Sequence, residues 1–480
     1  WQMAANNTEA AVQELAGLCG VEPQEAGHWL NLAASLRTLK HCNAALTVLK
    51  RGLCWQPETT DLQQALGQCL AELGQAELAL PVLQRSAGPA ETIKDEYLFN
   101  LQFLGAGYHL IPPADLQTWA RAWEQRVQRD TGIGPLWPDA IRPPVEGRRL
   151  RVGYLSADWS NHPVCRFMLP VLTHHNREAV EVWGLCSSPH HDSGHALAQA
   201  GCEHWLDLRH ASDLEAARVI ADLKLDVLVE LGGYTGHSRV AVLIHRAAPV
   251  QLSYLGYFAP TFLNAVDGWI GDAALFAGLE DVEREAHRLW MVEGGYMAYQ
   301  ASDALPPLET RGGSAFRFGS FNHSRKLNPE TAALYARVLE RVPTSELVLK
   351  SISFVEPAER ERVQATLAGA GVESSRVVLL PTSPSASGHM ELYNELDVAL
   401  DPYPYGGATT SCEALAMGVP VVTLASDGMV GRLSSSILSS AGHREWIASD
   451  RDEYVTIAAG LAVQGRRSVE QRRALRNQVL

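Results

Sequence analysis

The sequence predicts two doubly wound α/β domains preceded by an all-α segment, and three observations carry that prediction. Residues 9 to 86 are rich in Ala and Leu at helical spacing and nearly free of β-branched runs. From Arg148 onward, short apolar strands alternate with helical stretches, the pattern of a mostly parallel sheet with helices on both faces. The same alternation starts afresh at Phe316. At 480 residues the chain also exceeds what one hydrophobic core holds. The expected division is helical repeats over 1–93, a helical linker over 94–147, and Rossmann-like domains over 148–312 and 313–480.

Hydrophobic content of 46% and charged content of 20% are those of an ordinary soluble globular protein. A net charge of −14 argues against nucleic acid as a general partner, which needs a basic face. No apolar run approaches the roughly 20 residues that span a bilayer, and no signal-peptide pattern opens the chain, so no membrane partner is expected. Trp1 in place of Met reads as a true start lying beyond this sequence. The eight cysteines are scattered without CxxC pairs, which reads as reduced thiols in a cytoplasmic protein. No residue pattern speaks to the oligomeric state.

The N-terminal segment repeats with a period of 34 residues. One unit has Trp29, Leu32, Ala33, Leu36, Ala45, Leu49, Gly52 and Pro57 at the large, small and turn positions of a tetratricopeptide repeat. The next has Gln63, Leu66, Gly67, Leu70, Ala79 and Leu83, and an odd helix over 8–19 precedes both. The pairs Ala33/Gly67 and Ala45/Ala79 supply small residues where paired helices cross. A generic helical bundle is the alternative. Two repeats rarely stand alone, so they are expected to pack on the segments C-terminal to them. Further helices are expected at Tyr97-Leu-Phe-Asn-Leu and from Leu116 to Val127, broken by Pro112-Pro113, before a Pro/Gly linker over 132–149.

In the first α/β domain the strands are Leu150 to Ser156, Val180 to Leu185, Asp226 to Leu231, Val250 to Gly256 and Gly268-Trp-Ile-Gly. Ligands of such sheets gather at the carboxyl ends of strands. That rule singles out His162, Glu230 with Gly232-Gly233 and Tyr234, and Gly256-Tyr257. His162 reads either as a general base or donor, or as the cap of the Asn161–Pro163 turn. His190, His191 and His195 read as a solvated loop rather than a metal site. His174-His175 ends a helix.

In the second domain, strand Phe316 to Phe321 leads into the loop Asn322-His-Ser-Arg-Lys-Leu-Asn-Pro. Helices over 329–341 and 357–369 and strands Glu346 to Lys350 and Arg376 to Leu380 come next. Then comes Asp401-Pro-Tyr-Pro-Tyr-Gly-Gly-Ala-Thr-Thr-Ser-Cys-Glu, between the strand Val398-Ala-Leu and the strand Val421 to Leu424. This is a strand, glycine loop, helix and strand, with Thr409-Thr410-Ser411 as N-cap acceptors and free N–H groups that favour phosphate. A tight strand-to-helix turn is the alternative. Gly406 and Gly407 permit close backbone approach, and Glu413 lies one turn along, placed for a ribose hydroxyl. Lys326 meets a phosphate or is a surface lysine. His389 stacks on a base or caps a helix, and Arg432 opens a helix.

Six ordered motifs now resemble one family. They are Leu150-Arg-Val-Gly-Tyr-Leu-Ser with Asn161-His-Pro, Asp226-Val-Leu-Val-Glu-Leu with Gly-Tyr-Thr, and Ala248-Pro-Val-Gln with Leu255-Gly-Tyr. Phe321-Asn-His-Ser-Arg-Lys-Leu-Asn-Pro, His389 with Leu392-Tyr-Asn, and Pro404-Tyr-Gly-Gly-Ala-Thr-Thr-Ser-Cys-Glu-Ala-Leu complete the set. From about residue 28 to its end the chain resembles the O-GlcNAc transferase-like glycosyltransferases, family 41, with their SPINDLY branch, in a bacterial form with a short tetratricopeptide segment. The resemblance implies the GT-B architecture and an inverting, metal-independent transfer of a sugar from a nucleotide donor, foremost UDP-GlcNAc, to Ser/Thr of a protein acceptor. No cofactor is implied, and no clear Asp-x-Asp donor-metal motif stands in the sequence.

The same resemblance makes Lys326 the cation on the departing diphosphate, held also by Thr409 and Thr410 beside Gly407. It puts Glu413 on the ribose, His389 on the base and His323 near the phosphates; Arg432, at an anion-friendly helix start, joins the donor-binding residues. His162 faces acceptor and sugar, with Glu230, Tyr234 and Tyr257 on that side, while a histidine proposed as base in animal members falls at Asp226. Relatives commonly read Leu-Gly-Tyr-Pro-Gly-Thr-Thr/Ser where this chain has Leu255-Gly-Tyr-Phe-Ala-Pro-Thr-Phe, which leaves GDP-fucose and then UDP-glucose as rival donors. A non-catalytic tetratricopeptide scaffold, and a nucleotide-sugar epimerase or phosphorylase on the same architecture, are the rivals outside the class.

Overall fold

In a computed structural model, residues 8–87, 98, 100, 104, 110–137, 146–301, 305–380, 382, 383 and 385–479 are described. Most of the helix expected at Tyr97-Leu-Phe-Asn-Leu, and residues 138–145 of the expected linker, lie outside them. Two compact units divide the chain. One combines Trp1–Gly88, Asp303–Ser426 and His443–Val479, the other Pro89–Ser302 and Asp427–Gly442.

The first unit begins with helices α1 (Thr8–Val21), α2 (Ala26–Thr38), α3 (Cys42–Trp55), α4 (Thr60–Glu72) and α5 (Ala76–Ala87). Leu49, Ala45, Leu62, Ala79 and Leu83 are fully buried between them. Close crossing explains the small residues. A Cβ on Gly67 would lie 2.6 Å from Leu83 Cγ, and one on Gly52 2.9 Å from Trp29 Cγ. This segment packs within the same unit as the second sheet, not with the elements next to it in sequence. The contact is specific: the Glu356 carboxylate accepts from Asn43 N at 3.1 Å, Asn43 Nδ2 at 2.9 Å and Ala44 N at 3.0 Å. An acidic side chain from elsewhere thus satisfies the orphan N–H groups at the start of α3. Glu356→Ala should lower stability by about 2 kcal/mol, read in a denaturant melt, because three donors lose their acceptor.

The second sheet of the chain has the order β10-β9-β8-β11-β12-β13, all pairs parallel. Its strands are β8 (Arg317–Ser320), β9 (Glu346–Lys350), β10 (Val377–Leu380), β11 (Val398–Leu400), β12 (Val421–Leu424) and β13 (Ile447–Ala448). β8 begins the sheet in sequence yet lies inside it, so β8 and β11 flank the point where the winding reverses.

The other unit holds the order β3-β2-β1-β4-β5-β6-β7, again parallel throughout. Its strands are β1 (Leu150–Ser156), β2 (Val180–Cys186), β3 (His204–Asp207), β4 (Val227–Glu230), β5 (Val250–Ser253), β6 (Gly268–Gly271) and β7 (Arg288–Met291). β3 and β7 are edge strands whose side chains are exposed or half-buried, and neither was expected from the sequence. The helix Pro113–Thr131 starts at the Pro pair expected to break it, with Pro112 as N-cap and Pro113 in the first turn, where a missing N–H costs nothing. Its Glu124 accepts from Asn264 N at 3.0 Å and Ala265 N at 3.0 Å. The helix Leu433–Ser440 belongs here too: Ser436 Oγ donates to Asp272, and Gly428 N donates to Gly278 O at 2.8 Å. Chain order put residues 427–442 in the second domain; packing puts them with the first sheet.

Candidate active site

The loops after β8 and β11 leave the sheet side by side at the reversal point, where ligands of open α/β sheets bind. The β8 loop makes a short 3-10 turn, Ser324–Lys326, capped by His323, whose Nδ1 accepts from Arg325 N at 3.2 Å. Lys326 Nζ donates to Gly406 O at 2.6 Å and to Asn322 Oδ1 at 3.2 Å, and lies 4.2 Å from the Tyr405 ring centroid. Burial holds its ammonium down at about 7, against the opposing pull of Asp401 and with Arg325 adding to the lowering. The surface-lysine alternative is excluded by this environment.

Asp401 organises the second loop. Its carboxylate accepts from Gly407 N at 2.6 Å and from Thr423 Oγ1 at 2.8 Å. A Cβ on Gly407 would lie 2.7 Å from Thr410 Oγ1 and 2.8 Å from Asp401 Oδ1, so glycine is required by the loop's own packing. The helix Thr409–Ala416 opens on Ala408, not on a threonine, and no side chain caps it. This corrects the N-cap expectation for Thr409-Thr410-Ser411: they form the first turn, where Ser411 N donates to Ala408 O at 3.1 Å. Thr410 Oγ1 donates to Asn322 Oδ1 at 3.2 Å, the same oxygen that Lys326 reaches. Asn322 therefore ties the cation to the helix start.

A buried relay runs beside it. Lys350 Nζ bonds His389 Nδ1, His389 Nε2 lies 2.9 Å from Glu413 Oε2, and Tyr393 OH donates to the same oxygen at 3.1 Å. An ammonium only donates, so His389 accepts on Nδ1 and carries its proton on Nε2, toward the carboxylate. Glu413 and His389, expected on ribose and base, thus hold each other here. Burial lowers the Lys350 ammonium to about 8, against the pull of Glu413. Both nitrogens of His323 are engaged as well, Nε2 lying 3.4 Å from Ser353 Oγ. Burial and then the charges of Arg325 and Lys326 hold its ring down at about 3, so it stays neutral.

Asn322, Lys350, Tyr393 and Asp401 were not singled out from sequence. The signal for Lys350 was available: a lysine ends an apolar strand, next to the reversal point.

The remaining predicted residues lie in the other unit. His162 caps the helix Pro163–His174, its Nδ1 accepting from Val164 N at 3.3 Å, with Asp158 Oδ2 at 3.6 Å and the side chain 45% exposed. It is the cap of its turn, and the neutral ring consequently carries its proton on Nε2, making the outer edge a donor. Glu230 is 1% exposed and accepts from Gly232 N at 2.8 Å and Gly233 N at 2.7 Å. Burial pushes its carboxyl up to about 8. Tyr234 OH donates to Thr261 O at 2.7 Å, and Tyr234 and Tyr257 pack edge to face at 5.7 Å, both buried. These three shape the strand-end turn from within. Arg432 sits in the segment that packs with this sheet and holds the N-cap position of the helix Leu433–Ser440 without a side-chain cap hydrogen bond. Asp226 is clamped by Arg148 at 2.7 and 2.6 Å before β4 begins.

The solvated-loop reading holds for His190 and His191, both exposed, and is corrected at His195, which lies buried in the helix Ser193–Ala200, stacked on His191 at 4.2 Å and edge-on to Trp205. Asp450-Arg-Asp452 does form an Asp-x-Asp string, but Asp450 caps the helix Arg451–Gln464 through the N–H groups of Asp452 and Glu453. Among the described residues no group of His, Cys, Asp or Glu is placed to hold a metal ion, and no helix is long and apolar enough to cross a membrane.

A family model described as glycosyl transferase family 41 matches residues 138–297 and 309–480. The chain belongs to glycosyl transferase family 41. Among family 41 relatives, it is 32% identical over 365 residues to the probable UDP-N-acetylglucosamine–peptide N-acetylglucosaminyltransferase SPINDLY of Hordeum vulgare, covering 74% of this chain and 38% of that protein. The SPINDLY protein of Arabidopsis thaliana is 32% identical over 351 residues, 71% of this chain and 38% of its own. The chain thus spans about two fifths of the length of these relatives. A lysine-to-methionine mutant of the Thermobaculum terrenum O-GlcNAc transferase superposes with a TM-score of 0.87 at 29% identity, over 98% of this chain and 89% of that one. The fold is accordingly the two-Rossmann GT-B architecture of family 41, with a helical N-terminal segment.

Proposed function

We propose that this family 41 chain is a protein glycosyltransferase that moves GlcNAc from UDP-GlcNAc to Ser/Thr hydroxyls with inversion. One observation carries the reading: a half-buried lysine and a helix start with no side-chain cap, tied through Asn322, at the reversal point of the sheet. Breaking the sugar–nucleotide bond leaves the electron pair on the diphosphate, and these groups neutralise it by preorganised electrostatics, without a metal. Thr409 and Thr410 hold the diphosphate, the His389–Glu413 pair takes the base and ribose, and His162 donates from Nε2 on the acceptor side. The proton of the acceptor hydroxyl passes to solvent as the new C–O bond forms, so the products are the glycosylated hydroxyl, the nucleoside diphosphate and a proton. The names borne by the relatives support the donor and the protein acceptor.

GDP-fucose is the second reading, favoured by the departure at Leu255-Gly-Tyr-Phe-Ala-Pro-Thr-Phe, whose Leu255 and Phe262 adopt φ of 71° and 58°. A thermal-shift panel of UDP, GDP and their sugars decides between them. UDP and UDP-GlcNAc should raise the melting temperature; stabilisation by GDP-fucose alone overturns the donor assignment. Mass spectrometry of acceptor peptides then reads the transferred sugar.

A further inference from the structure

The helical segment meets the Lys326 turn at Gly74, and the equivalent position one repeat earlier is Lys40. Lys40 and Gly74 stand 34 residues from each other, and each ends the first helix of a pair with positive φ, 65° and 73°. Gly74 abuts backbone: a Cβ there would lie 2.4 Å from Arg325 O, 3.1 Å from its carbonyl carbon and 3.2 Å from its Cα. That carbonyl belongs to the peptide joining Arg325 to Lys326. The charge of Lys40 reaches His323, the cap of the same turn. Two further contacts stiffen the junction. Glu356 holds the start of α3, and Arg362 Nη2 donates to Ser324 O at 3.2 Å.

We infer that the inter-helix turn at Gly74, with its counterpart at Lys40, is a positioning device for Lys326: the helical repeats set the backbone of the turn that aims the ammonium. The inference rests on Lys326 being the cation for a nucleoside diphosphate. Its physical basis is that backbone pressed against backbone cannot yield by a rotamer change, so a displaced 325–326 peptide carries the Lys326 Cα with it. Displacements of about 1 Å at such a group cost on the order of 10²-fold in rate.

The test compares two strained glycines. Gly74→Ala forces a side chain into the left-handed region and against Arg325 O. Gly371→Ala forces one at φ 91° with nothing within 4 Å, and so matches the strain without the contact. Affinity for UDP and for GDP is measured by calorimetry on the full chain from pH 6 to 9. Gly74→Ala should weaken binding about 10-fold or more and move the midpoint of the pH dependence upward, as Lys326 leaves its buried seat. Gly371→Ala should lose a similar increment of melting temperature and keep both affinity and midpoint. Unchanged affinity and midpoint in Gly74→Ala overturns the inference, as does an equal loss in both variants. If the wild-type chain binds neither nucleotide, the reading of the site falls, and the inference with it.

Discussion

Lys326→Ala is expected to lower sugar transfer by at least about 10²–10³-fold while the chain remains folded, the scale found when one preorganised group facing developing charge is removed. The ammonium is the one lysine whose Nζ reaches the glycine loop among the described residues, through Gly406 O, and it shares Asn322 with the helix start. The two loops keep other ties without it: Asn328 Nδ2 donates to Tyr403 O at 2.9 Å, and Thr331 Oγ1 does so at 2.7 Å. Removing a cation that burial disfavours should leave the melting temperature level or raise it. Turnover with labelled sugar nucleotide and a thermal melt, run together, separate lost chemistry from lost fold. Wild-type turnover in this variant refutes the role.

Nucleoside diphosphate affinity is expected to fall as pH rises above about 7, approaching tenfold per pH unit until the pKa of the bound state is reached. The reason is that free Lys326 sits at about 7 while a bound diphosphate requires the ammonium, so binding takes up a proton in that window. The stability of the unliganded chain moves the other way. The unfolded lysine titrates near 10.5, so between about 7 and 10.5 the unfolded chain holds the extra proton and stability rises with pH. Glu230 and Glu283, pushed up to about 8 and about 7 by burial, act oppositely: the folded chain holds their protons, and stability falls as pH rises through their windows. The clean reading is therefore the difference between wild type and Lys326→Met. That difference in melting temperature should shift in favour of wild type from pH 7 to 10, and a flat difference refutes the assigned environment.

Much of the site was legible as separate pieces. Lys326, Thr409 and Thr410 each stood at a strand end or helix start, because such ends announce themselves locally through Gly, Pro and hydroxyl residues. The ordered motifs identified the family for the same reason. Other pieces stayed open in the sequence because local chemistry admits two outcomes. His162 takes the cap position that its sequence reading allowed, His323 caps the Lys326 turn, and Glu230 turns inward to accept two backbone N–H groups, since a carboxylate two residues before a Gly-Gly turn meets its amides.

By itself the sequence determined the periodicities: helices in pairs, then two series of buried strands, with apolar spacing that reflects which face each element buries. The tertiary structure alone decided which elements are neighbours. β8 and β11 became adjacent because β9 and β10 wound off to the other side, which brought Lys326 to the glycine loop and Lys350 to His389. It also set the repeats against the Lys326 turn and took residues 427–442 away to the first sheet. Those pairings arise from crossover connections and surface complementarity between distant segments. Neither leaves a mark in the local spacing of apolar residues.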